Sequence, residues 1–251
     1  MSNSNAASKQ QLAVAQQRQE QVQTAVKALL GETRALSHEH YARLLGTVTA
    51  AATKSVTIQI ADEDLRSLKS AGYKLCFAKR VGDEAYNVVW QSYVQYLSNN
   101  NFSWTPMYQL FGTNTFQANV QVTVDTNKVD IGLGQQSTLD QSGLLGPVST
   151  GGPETAITMI NQYGSIHPGV NQLSTGIDGK QVSTPIYVAA NPIVQGSTNL
   201  TPKETVLVWF EQNVQTSTMF STSRSNAQEI DLTFSNSATY LYANQKWVIP
   251  S

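Results

Sequence analysis

Charge is what this sequence has least of: Asp, Glu, Lys and Arg make up 13% of its 251 residues, about half the usual quarter. With a net charge of −1 it offers no basic stripe to displace counterions from a polyanion, so nucleic acid is not an expected partner. Cysteine is nearly absent as well. The lone Cys76 cannot close an intrachain disulfide, and in Tyr73-Lys74-Leu75-Cys76-Phe77-Ala78 a strand period turns it away from Leu75 and Phe77, as a buried, inert thiol. No run approaches the roughly 20 apolar residues of a membrane-spanning helix, and residues 1–30 lack the apolar core and cleavage site of a secretory signal. The expected location is cytoplasmic, or outside the cell without a cleaved signal peptide.

The residues of catalysis and metal binding are equally sparse. Of three histidines, His38 and His40 stand two apart on a predicted helix and so face different ways, whereas a helical zinc pair needs a spacing of four. His167 precedes Pro168 with no visible nucleophile or acid beside it. Gly132-Leu133-Gly134 lacks the following Lys-Ser or Lys-Thr of a phosphate loop and reads as a turn or bulge. Asp125, Asp130 and Asp140 fit no calcium loop, and in a turn-rich stretch they read as solvated turn residues. The expectation is a protein that is not an enzyme, with no metal and no cofactor.

What is abundant is neutral polarity. Asn, Gln, Ser and Thr supply roughly a third of the chain, above the usual globular share, which suits neutral hydroxylated partners or packing against further copies. Up to Lys54 the chain reads as a helical arm, because apolar or small residues recur at alternating spacings of three and four: Leu12, Ala15, Val22, Val26, Leu29 and Leu36. Gly31 and a possible cap at Ser37 leave open one long helix or two, near 8–30 and 38–52. This arm holds six Lys or Arg against three Glu, a charge of +3, so the remainder carries −4. Its narrow, Gln-interrupted seam needs a cover: another copy's arm, the following domain or a membrane interface.

Residues 55–251 read as one mainly β domain, an antiparallel β-sandwich-like fold of about ten strands. Val56–Ile60 alternates as a strand; Asp62 is the expected cap of a short helix closed by Gly72; Tyr73–Val81 and Ala85–Gln91 read as a hairpin. Phe116 to Val124 alternates without error and is the clearest predicted strand. An Asp-Gly turn lies in Gly176-Ile177-Asp178-Gly179-Lys180. Val206-Leu207-Val208-Trp209-Phe210 is apolar on both faces and belongs in the centre of a sheet.

Aromatic residues cluster from Trp90 through Tyr93, Tyr96, Phe102, Trp104 and Tyr108 to Phe111. Tyr96, Phe102 and Trp104 flank Asn99-Asn100-Asn101, which reads as an exposed loop, and they are the candidate contacts to a membrane or a sugar. An amphipathic arm ahead of a Tyr- and Trp-bearing β-domain without a disulfide resembles the layout of actinoporin-type cytolysins, in architecture and not in any residue motif. That resemblance implies a membrane-active or pore-forming protein that docks by aromatic loops and uses its arm for insertion or oligomerisation. The alternatives are a carbohydrate-binding lectin-like module and a self-assembling structural protein. The expected partners are further copies of the chain in a homo-oligomer, with membrane lipid or glycan beside them.

Overall fold

A computed structural model describes residues 53–83 and 86–250. The arm seam, Leu12, Ala15, Val22, Val26, Leu29 and Leu36, lies outside the described residues. In chain order the elements are β1 (Lys54–Ile60), α1 (Asp62–Ser70), β2 (Lys74–Val81), β3 (Gln91–Tyr93), β4 (Asn99–Thr113), β5 (Val129–Ile131), β6 (Gln135–Leu139), β7 (Ser149–Thr150), β8 (Ile157–Asn161), β9 (His167–Thr175), β10 (Gln181–Val188), β11 (Gly196–Leu200), β12 (Pro202–Glu211), β13 (Gln228–Asp231), β14 (Ser237–Ala243) and β15 (Lys246–Val248).

These strands make three sheets. The largest runs β10-β9-β4-β1-β14-β15 with β5 added beside β4; the others run β11-β8-β6-β7 and β13-β12-β2-β3. The chain is therefore mainly β, but not purely antiparallel: β1 pairs parallel to β14, and β6 parallel to β8. Parallel neighbours need long crossovers. The link from β1 to β14 spans nearly the whole described chain, which no local sequence pattern reports. One core cluster draws on all three sheets, with Val56, Phe77, Trp104, Ile157, Val206 and Ile230 among its members.

Local patterns explain most elements. In β12, Val206 and Val208 join the large core while Trp209 enters a second cluster with Cys76. The strand lies between β13 and β2, so its two apolar faces are both used. Leu75 and Phe77 face the large core and Cys76 the second, as the strand period requires; burial pushes the Cys76 thiol well above the usual thiol range. The Asp178-Gly179 turn joins β9 to β10 as an antiparallel hairpin, with Gly179 at φ 76°.

Three expectations fail. Phe116–Val124 forms no strand: Asn119 takes φ 65°, and the segment hangs on Ser217–Met219 by the bonds Asn119 N–H to Met219 O, Met219 N–H to Val120 O and Val122 N–H to Ser217 O. Its alternation is realised in part: Phe116, Val122 and Val124 cover a small core of Val88, Phe111, Val188 and Met219, whereas Val120 is exposed because the turn at Asn119 breaks the extended chain between them. Asp62 is not the helix cap; Ala61 is, without a side-chain bond. Asp62, Glu63 and Asp64 instead fill the first turn, where acids complement the helix dipole. The hairpin after Tyr73 is also looser than expected, for on that side β2 meets only the short β3, from Leu75↔Tyr93 to Phe77↔Gln91, while its long pairing is with β12.

Candidate functional site

The structure puts the three predicted contact residues inside the molecule. Tyr96 and Phe102 are 0% exposed and Trp104 is 1% exposed, which corrects the reading of an exposed aromatic loop. The Asn triplet is the beginning of β4 and not a loop. Asn100 is buried, donates to the carbonyls of Ile58 and Leu97, and accepts from the Leu97 N–H. That anchors the register in which Asn100, Phe102 and Trp104 all point inward. Phe102 then stacks on Phe77 at 4.3 Å and meets Trp90 edge-on at 5.0 Å. Tyr96 leans on Phe210 and donates its hydroxyl to the Tyr73 carbonyl. In the same loop the exposed apolar side chains are the neighbours Val94 and Leu97.

Trp104 belongs to a buried charge cluster that sequence reading missed. Its Nε1 donates to Glu204 Oε2 at 2.7 Å, and the Lys79 ammonium reaches the same oxygen at 2.9 Å. Lys79 is fully buried and lies 4.4 Å from the centroid of the Trp104 ring. Desolvation lowers the Lys79 pKa to about 8 against the pull of Glu204. For Glu204, burial pushes upward, but Lys79, the Trp104 N–H and Lys54 outweigh it, and the carboxyl stays below its ordinary range. The Lys54 ammonium donates to the carbonyls of Leu232 and Ser235 and to Asn236 Oδ1. A lysine enclosed by an indole face and a paired carboxylate is built to hold β2, β4 and β12 in register. An alternating strand with one Lys at an inward position was the available signal.

Asp125, Asp130 and Asp140 do not converge. Asp125 accepts from the Asn114 N–H, Asp130 from Gln109 and Asp140 from Ser142 and Leu144, each a local tie. His167 is bound to the Ala189 carbonyl. Among the described residues no three His, Cys, Asp or Glu gather as a metal group.

The candidate contact surface lies elsewhere, where three loops meet beyond one end of β8. Asn161, 2% exposed, closes that strand, and its Nδ2 donates to the carbonyls of Gly164, Ile193 and Val194 while its Oδ1 accepts from the Tyr163 N–H. Two amide protons thus serve three carbonyls, and one side chain fastens the 162–166 loop to the 189–195 loop. Ile166 and Ile193 exchange both backbone bonds across the same seam. The third loop joins through Gln162 N–H to Leu139 O, and Gly143 packs under the Tyr163 ring, where a Cβ would come within 3.3 Å. Gly143 has φ 84°, so backbone conformation and close approach both call for glycine. Asp140 Oδ1 accepts from Ser142 N, Ser142 Oγ and Leu144 N; these bonds lower its pKa and fix the turn that carries Leu144.

The result is a tip with Leu144 at 55%, Tyr163 at 46% and Val194 at 67% exposure. Across residues 140–146, 162–166 and 189–195 the only formally charged side chain is Asp140. A large apolar side chain from each of three loops, on rigid supports and almost free of charge, is what a partner surface or lipid interface requires. Sequence reading did not find it, because each loop contributes one unremarkable apolar residue and only the fold unites them. Among the described residues no helix is long and apolar enough to cross a membrane, which bears on helices and not on strands. No protein-family model, curated protein or solved structure matches this chain.

Proposed function

We propose that the chain is a non-enzymatic membrane-active protein: a sandwich-like β-domain docks at the headgroup boundary through the Leu144–Tyr163–Val194 tip, and the N-terminal arm, joined to those of other copies, supplies a second attachment or inserts. The charge-poor tip carries this reading. A Tyr with an apolar body and a polar hydroxyl, flanked by two aliphatic side chains, suits the boundary between headgroups and acyl chains. Burying three partly exposed side chains of this kind contributes roughly 4 kcal/mol, a dissociation constant of about 1 mM. That is reversible contact, and stable anchoring takes a second signal, the role assigned to the arm.

Flotation with uncharged phosphatidylcholine vesicles tests the reading on the full chain. The protein is expected to float with the vesicles, with little change as salt is raised, since the tip offers almost no charge to screen. Tyr163→Ser combined with Val194→Ser is expected to weaken vesicle affinity by about a hundredfold without lowering the melting temperature. A full chain that floats with no vesicle composition, or a double variant that floats like the wild type, would overturn it.

A further inference from the structure

At the opposite end of the large sheet a cleft opens between α1 and the β14–β15 hairpin. β1 delivers the chain to α1 at Ile60, the end where β4 begins, while the tip loops adjoin Thr113, where β4 finishes opposite His167. Fifteen residues of strand at about 3.3 Å each put roughly 45 Å between the two. The cleft holds about 330 Å³ and is lined by Tyr73, Phe210 and Tyr242 together with Ser67, Asn226 and Gln245. Small-molecule sites begin at about 300 Å³, so one or two sugar rings would fill it.

We infer that this cleft is a binding site for a neutral saccharide. Its apolar wall is a braced aromatic group: Phe210 stacks on Trp247 at 5.6 Å and 8°, and Tyr242 meets Phe210 at 4.8 Å and Trp247 at 5.0 Å. Tyr242 is 5% exposed and packed among these rings, so the half-buried Phe210 and Tyr73 are what would meet the C–H side of a sugar ring, with little loss of side-chain entropy. Its polar wall is equally fixed. Asn226 Nδ2 donates to the Tyr242 hydroxyl at 2.9 Å and to the Gln245 carbonyl at 3.1 Å, and the Asn226 carbonyl accepts from Trp247 Nε1. The Asp64 carboxylate accepts from the N–H groups of Asn244 and Gln245, which pins the hairpin turn to α1. No described residue engages the Ser67 hydroxyl or the Gln245 side-chain amide, which leaves both for ligand hydroxyls.

The charge of the lining narrows the ligand. Asp64 is the sole carboxylate among the lining residues, and no Lys or Arg accompanies it, so anionic sugars and phosphates are disfavoured. Gln245 stands at φ 59°, beside Asn244 at 53° and opposite Asn226 at 49°. At Asn244 and Gln245 this is the backbone of the two-residue β14–β15 hairpin turn, which needs positive φ at both positions, and the turn places Gln245 in the lining of the cleft. The cleft stands apart from the membrane reading and shares no residue with the tip.

Saturation-transfer NMR on the full chain tests the inference, with methyl α-mannoside, N-acetylglucosamine and lactose as neutral probes and sialyllactose as the anionic comparison. At least one neutral sugar is expected to receive saturation, with sialyllactose weaker. Two variants separate a lost site from a lost fold. Ser67→Trp fills the cleft from an exposed helix position, and Gln245→Gly removes an amide while relieving the left-handed backbone; each is expected to weaken binding by about tenfold in a protein that melts no lower than the wild type. Saturation of none of the neutral sugars, equal saturation in both variants, or a preference for sialyllactose would overturn it. These outcomes are independent of vesicle flotation.

Discussion

Glu204 is the residue on which the interior balances. Its carboxylate answers a fully buried ammonium and an indole N–H at once, and removing one partner of a buried pair costs more than the pair contributes, because the other charge is left without compensation. Glu204→Gln is therefore expected to destabilise the protein by about 3–5 kcal/mol near neutral pH, measured by urea denaturation. The pH dependence has two limbs. Glu204 titrates below its ordinary value in the folded state, so its stabilisation is present above about pH 4.5 and is lost as pH falls through the folded pKa; the variant lacks that acid limb. Lys79 is lowered from 10.5 to about 8, so between those values the unfolded chain holds a proton that the folded one has released, and this group makes stability rise with pH. In Glu204→Gln, with the ammonium unpaired, that recovery is expected to grow. The same residues show why the contact trio was misplaced in the sequence: Asn99-Asn100-Asn101 has the composition of a turn, and only the partners of Asn100, on a strand forty residues away and in the preceding turn, show that the strand has already started.

At the scale of elements, legibility followed the range of the interaction. β12 and the β9–β10 hairpin were readable because an apolar run on both faces and an Asp-Gly turn are local statements. The parallel pairing of β1 with β14 was not, since its partner lies at the far end of the chain. Phe116–Val124 shows the converse, an alternation flawless in the sequence that a turn at Asn119 interrupts, leaving a single bridge from Gln121 to Thr218 in place of a strand. What holds the β4–β9 contact beside it is a missing side chain: a Cβ on Gly169 would come 2.3 Å from Phe111 Cζ, and Phe111 is fully buried. Gly169→Ala is expected to cost about 1–3 kcal/mol through overpacking, read as a lower midpoint in chemical denaturation. Phe111→Leu in the same chain is expected to restore part of that loss, giving a coupling energy of opposite sign to the single changes; strictly additive losses would show that the ring is not what excludes the methyl group.

The whole molecule has two unlike ends, an apolar tip and a polar cleft about 45 Å apart along β4. Composition foretold the neutral surface on which both depend, but neither site, because each is assembled from segments separated in sequence. A single tip holds at roughly millimolar strength, too weak for occupancy at ordinary protein concentrations. Several tips on one assembly change that, since each further contact becomes intramolecular and avidity rises by about 10²–10⁴. The arm seam through Val22 and Leu29 is the proposed means of assembly. Charges placed in it separate the two contributions: Val22→Asp with Leu29→Asp is expected to reduce the mass in sedimentation from an oligomer to a monomer and to abolish vesicle flotation together. Tyr163→Ser with Val194→Ser is expected to leave the mass unchanged and weaken flotation alone. A wild-type chain that sediments as a monomer yet floats fully would remove avidity from the mechanism and place the whole membrane affinity in one copy.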